Sequence, residues 1–121
     1  MLAMLWMGTI AAQTVPVTFR VDMNNETVSM DLGVHVAGNF QGWDPASTAL
    51  TDDDMDGVYE ATVEVSDSLT LIEYKFVNGD DWGMDETAPE ACAWNGGTNR
   101  HFELEGATVL DAPCFGQCGA C

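Results

Sequence analysis

The chain has 121 residues and a formal charge of −17, with Arg20, Lys75 and Arg100 its only basic side chains. That length suits one domain with a modest core. The acid excess argues against DNA and RNA as partners, whose phosphates need neutralising, and against anionic membrane surfaces; it fits solubility, as in a salty medium, or recruitment of a basic partner.

Met1 to Ala12 is apolar and ends in small residues, like the core and cleavage region of a secretory signal without its basic start. Residues 1–13 are therefore expected to be a signal remnant, with the mature start near Gln13 or Thr14. The competing reading is an apolar first strand or a partner-binding tail. The stretch is too short to span a bilayer. From Val15 the pattern is alternation: Val15, Val17, Phe19 and Val21 on one face, Thr18, Arg20 and Asp22 on the other, a half-buried strand. Val34 and Val36 mark a short strand that ends at Gly38-Asn39. Asn39 to Ser47 reads as a loop or a distorted strand end, and Asp52 to Gly57 as a turn. Tyr59, Ala61, Val63 and Val65 alternate with Glu60, Thr62 and Glu64. Ser66-Asp67-Ser68 turns the chain into a strand from Leu69 to Val77. A final strand pair is expected at Arg100–Leu104 and Ala107–Leu110, split by Glu105-Gly106. No window has a sustained helical period, so the fold class is all-β, a sandwich of short antiparallel strands. The domain is expected over 14–111 and a Cys-rich tail over 112–121.

Cys92, Cys114, Cys118 and Cys121 read as two disulfides beside an export-like leader, and place the protein outside the cytoplasm, secreted or at the cell surface. Three pairings are open. Cys92–Cys114 with Cys118–Cys121 is favoured, tying the tail to the loop after Trp82. A four-thiolate zinc site is the competing reading.

Asn78-Gly79 is a strong signal for a two-residue hairpin. Such a turn places Lys75 opposite Trp82 on the outer face, while Ile72, Tyr74 and Phe76 face inward. It also puts Asp81 on the inner face beside Phe76, so the return strand is expected to bulge or stop there. An indole and an ammonium turned outward suit a sugar, whose ring stacks and whose hydroxyls accept hydrogen bonds.

The stretch Gly38-Asn39-Phe40-Gln41-Gly42-Trp43-Asp44-Pro45, read with Tyr74-Lys75-Phe76, Trp82 and Gly97-Thr98-Asn99-Arg100, resembles the starch- and glycogen-binding modules. These include the glycogen-binding domain of the AMP-activated kinase β subunit and modules on branching and debranching enzymes. The resemblance covers about Val34 to Leu104, with Val15 to Asp22 as the leading strand. It implies an immunoglobulin-like β-sandwich in which Trp43 and Trp82 stack on glucose units while Lys75 and Asn99 bond hydroxyls. The chain also resembles exported β-domains of Bacteroidetes-type bacteria, through Val17 to Met23 and the Cys114 to Cys121 tail; that version sits as one unit of a larger surface protein. The cysteine tail and the Glu86–Trp94 loop depart from the kinase-type module, and Asp80 and Asp81 crowd Trp82 with negative charge.

Trp94 is a candidate third platform, or packs against the cysteines. Asp52, Asp54 and Asp56 before Gly57 form the first half of a calcium loop. The twelfth position is Val63 where a bidentate Glu belongs, with Glu60 the nearest substitute, and an acidic hairpin turn is the alternative. His35 and His101 read as packed or surface residues. No nucleophile elbow, phosphate loop or zinc-helix motif occurs, and Cys118-Gly-Ala-Cys121 lacks a redox fold context. The sequence thus predicts non-catalytic α-glucan binding with no required cofactor and calcium optional. The alternative is a structural immunoglobulin-like unit of a secreted or surface assembly, in contact with its other domains or subunits.

Overall fold

The computed structural model describes residues 13–121; nearly all of the apolar leader stretch lies outside them. Seven strands form in chain order: β1 Thr14–Asp22, β2 Val34–Gly38, β3 Ala49–Leu50, β4 Val58–Ser66, β5 Leu71–Val77, β6 Arg100–Glu103 and β7 Thr108–Val109. The only helical pieces among these residues are two 3-10 turns, Glu90–Cys92 and Trp94–Gly96. One sheet runs β4-β1-β7 and the other β3-β2-β5-β6. β1 pairs antiparallel with β4 along its whole length, from Thr14 opposite Ser66 to Asp22 opposite Val58.

The alternation read in the sequence sets which faces meet. Val17, Phe19 and Val21 of β1 join Val34 and Val36 of β2 and Ile72, Tyr74 and Phe76 of β5 in one core shared by both sheets. Phe19 stacks on Phe40 at 4.8 Å and meets Tyr74 edge-on at 5.1 Å. Burying each such side chain stabilises the fold by about 1.5–3 kcal/mol. The result is a sandwich-like all-β fold. The outward face of the first sheet closes on itself: Thr18 bonds Thr62 at 2.8 Å and Arg20 bonds Glu60 at 3.1 Å, each across the ladder.

The expected final strand pair is corrected. Arg100–Leu104 and Ala107–Leu110 do not pair with each other. β6 joins β5, whereas β7 crosses to the other sheet and runs parallel to β1. β1 otherwise has one free edge, and β7 fills it while Leu110 packs against the core. The short β3 carries no pattern long enough to read in advance.

The favoured disulfide pairing is also corrected: Cys92 is joined to Cys118, and Cys114 to Cys121. Cys114 is buried beneath the tail because Asp22 grips both sides of it, donating to the Pro113 carbonyl and accepting from the Phe115 N–H. The turn that follows returns Gly119 to the Cys114 N–H. That path carries Cys118 to the Glu90–Cys92 turn and Cys121 back to Cys114, with Cα separations of 5.6 and 4.8 Å, within bonding reach. With all four sulfurs paired, the zinc reading has no thiolates to use. Disulfides are compatible with an oxidising compartment. Among the described residues no helix is long and apolar enough to cross a membrane.

Candidate functional site

The loop after β2 is built by side chains that imitate backbone. Asn39 Nδ2 donates to the Leu71 carbonyl at 2.9 Å and its Oδ1 accepts from the Glu73 N–H at 3.1 Å, extending the β2–β5 ladder. Gln41 fills the loop, accepting from the Asp44 N–H and donating to the Asp44 carbonyl, both at 2.7 Å. A Cβ at Gly38 would stand 2.7 Å from the Glu73 carbonyl and collide with the Phe40 ring, so only glycine fits. Trp43 follows with φ 59°, a left-handed backbone that costs a side-chain-bearing residue about 1–2 kcal/mol. Its N–H bonds the Gly38 carbonyl at 2.9 Å. The indole is half-buried.

The hairpin differs from the two-residue turn expected at Asn78-Gly79. Val77 pairs with Asp85, and the connecting loop runs over seven residues, 78–84, closed by the Asn78 N–H on the Met84 carbonyl. The shorter turn would have driven Asp81 into the core face. The longer one delivers Glu86 there instead, where Arg100 neutralises it. The loop is tied down by His35 Nδ1, 2.6 Å from the Gly79 carbonyl, and by the Asn78 amide on the Thr27 carbonyl. Trp82 stands in this loop, 46 % exposed.

Lys75 therefore faces Asp85 rather than Trp82, at 3.1 Å. Burial works against the Asp85 charge, but the Gly83 N–H and the Lys75 ammonium outweigh it and hold the carboxyl below its ordinary value. Register puts Glu73 and Lys75 on the outer face of the second sheet, with His101 of β6 opposite Glu73. Trp94 lies on His101, ring centroids 5.0 Å apart, and remains 42 % exposed. Asn99 Nδ2 reaches Glu73 at 3.5 Å, and the Asn99 carbonyl holds the Trp94 N–H. The structure thus brings Lys75, Asn99 and Trp94 onto one face. Trp43 is anchored beside Gly38, opposite Tyr74, and Trp82 beyond Val77. Their backbones leave this ladder about 10 Å apart along the strand. Glu73, Asp85 and His101 complete the face. The sequence carried a signal for Glu73, which alternates with Lys75, but none for Asp85, which depends on the loop length.

The Asp52–Gly57 turn brings the carboxylates of Asp52, Asp54 and Asp56 within 4.8 Å of one another. Much of their bonding capacity is already used. Asp52 accepts from the Asp56 and Gly57 N–H groups, and Asp56 from the Val58 N–H. That last bond lowers the Asp56 value, while the side-chain hydrogen bond to Asp56 raises that of Asp54. The donor set suits a hard cation such as calcium only if these bonds are partly exchanged.

Set against models of protein families, curated proteins and solved structures, the chain matches none of them.

Proposed function

We propose that the chain is a non-catalytic, extracytoplasmic carbohydrate-binding module with an immunoglobulin-like strand layout. It holds an α-glucan across the outer face of the β2–β5–β6 sheet. The observation that supports this reading is one outer sheet face bearing the open Trp94 ring and the part-buried Asn99–Glu73 and Lys75–Asp85 pairs, with the loops that carry Trp43 and Trp82 leaving the β2–β5 ladder at its two ends. Indole faces accept the C–H side of a pyranose, and the paired polar groups exchange hydrogen bonds with its hydroxyls. Two or three stacked sugars supply about 4–7 kcal/mol, a Kd of about 1 mM to about 10 μM.

The test is electrophoresis in native gels containing glycogen or amylopectin. Trp82→Ala is expected to remove most of the retardation, and Trp94→Ala a smaller share. Retardation by neither glucan in the parent chain, together with complete shielding of its tryptophan fluorescence from a soluble quencher, would favour a structural unit packed against neighbouring domains.

A further inference from the structure

A second cleft opens on the opposite side of the same sheet, where β6 and the segment after β7 are bridged by the C-terminal tail. It measures about 500 Å³ and is floored by Tyr74 and Arg100, which stand opposite each other in the β5–β6 register. Leu110, Ala112 and Pro113 form one wall, and Cys118 to Ala120 the other.

Two polar atoms in its floor, Tyr74 Oη and Arg100 Nη1, have no hydrogen-bond partner among the described residues. Tyr74 is only 7 % exposed, its ring fixed among Phe19, Phe76 and Phe102. Its hydroxyl makes no hydrogen bond among the described residues. The one fully enclosed polar side-chain atom without a partner there is Asn78 Oδ1, so Tyr74 Oη opens onto the cleft. Burial pushes this phenol up to about 12, so it keeps its proton. Arg100, 4 % exposed, spends Nε and Nη2 on Glu86 and on the Cys114 and Gln117 carbonyls, and its Nη1 makes no hydrogen bond among the described residues. Both atoms are reached by solvent through the cleft, so a molecule seated there can replace water on a donor and a donor–acceptor that the ring packing and the Glu86 pair hold in place.

We propose that this cleft binds an uncharged, oxygen-rich molecule of monosaccharide size, which accepts from Arg100 Nη1, exchanges a hydrogen bond with the Tyr74 hydroxyl, and lays its C–H face on Leu110 and Ala112. The ligand is neutral because Glu86 already balances the guanidinium, Asp111 stands at the rim, and the chain carries −17. The site is independent of the outer face, since its residues point to the other side of the sheet.

The experiment is an amide NMR titration of the ¹⁵N-labelled, disulfide-intact chain with glucose, myo-inositol, N-acetylglucosamine and, as the anion, acetate. At least one polyol is expected to shift the Arg100 Nε–H signal and the Gly119 and Ala120 amides saturably at millimolar concentration, with acetate weaker. Tyr74→Phe removes one oxygen and leaves the ring packed; it is expected to weaken binding about fivefold, the worth of one hydrogen bond. Should that variant fail to fold, Ala120→Phe, which fills the cleft from the tail, must abolish the shifts. Trp82→Ala must leave them unchanged. No saturable shift with any polyol, equal affinity in Tyr74→Phe, or tighter binding of acetate overturns the proposal. If the cleft holds only water, Tyr74→Phe changes nothing.

Discussion

Asp85 and Glu86 each meet a cation and backbone N–H groups, whereas Asp52, Asp54 and Asp56 stand among one another. Glu86 is enclosed, its carboxylate shared between Arg100, the Phe76 N–H and the Gly116 N–H. It fastens three pieces that are distant in sequence: β5, the start of β6 and the cysteine tail. Among the described residues the Asp52–Asp56 turn bonds chiefly within itself and to Asn24. In a chain of 20 acids the partner, more than the charge, decides whether a carboxylate stabilises the fold.

The largest expected effect tests the first half of that contrast. Glu86→Ala leaves the Arg100 guanidinium buried without its counter-charge. It should cost about 3–5 kcal/mol in chemical denaturation, with the tail becoming susceptible to protease first. Glu86→Gln should fall between that variant and the parent, since it keeps a hydrogen-bonding group. The exposed Arg20–Glu60 pair is the control: Glu60→Gln should cost less than about 1 kcal/mol. Equal losses for Glu86→Ala and Glu60→Gln would erase the distinction between the two kinds of acid.

A smaller effect is expected at Asp85. Its folded value lies below the ordinary 3.8, so the stability it contributes is present above that pH and is lost as pH falls through the depressed value. Asp85→Asn should therefore cost about 1.5 kcal/mol at neutral pH, the worth of hydrogen bonds to a charged group. The gap from the parent should close in melting curves taken down to about pH 2. A gap that stays constant with pH would mean that Lys75 contributes packing alone.

The same contrast separates what the sequence disclosed from what it hid. The half-buried strands were legible because one buried face imposes a period of two over nine residues in β1 and in β4. Lys75, Trp82, Trp94 and Asn99 were legible as outward or loop residues. The partners were not. Whether Lys75 meets Trp82 or Asp85 depends on a loop of two residues or seven, and the longer loop wins because Glu86 then finds Arg100 fourteen residues on. The cysteine pairing was hidden for a similar reason, since it follows from Asp22 gripping the chain on both sides of Cys114 across the fold. Alternation puts Arg100 on the face of Phe102 and Leu104, but nothing in the sequence pairs it with Glu86, which is what lets it stay buried opposite Tyr74.

The smallest expected effect tests the crowded turn. The Asp54 carboxyl, fully exposed, has its value raised, first by the hydrogen bond it shares with Asp56. A group whose folded value lies above its unfolded one favours the fold only while protonated, and that contribution is lost as pH rises through the folded value. At neutral pH the Asp54 charge therefore works against the fold, and Asp54→Asn should raise Tm slightly. The gain should vanish below about pH 3.5, where folded and unfolded chains both carry the proton. It should also shrink in 0.5 M salt, where the Debye length falls to a few ångströms. Calcium sharpens the result. If the three carboxylates exchange their turn bonds for an ion, millimolar calcium at high salt lifts the parent and reverses the order of the two melting temperatures. If they do not, Asp54→Asn stays the more stable chain, and the turn is a local loop closure whose charges repel.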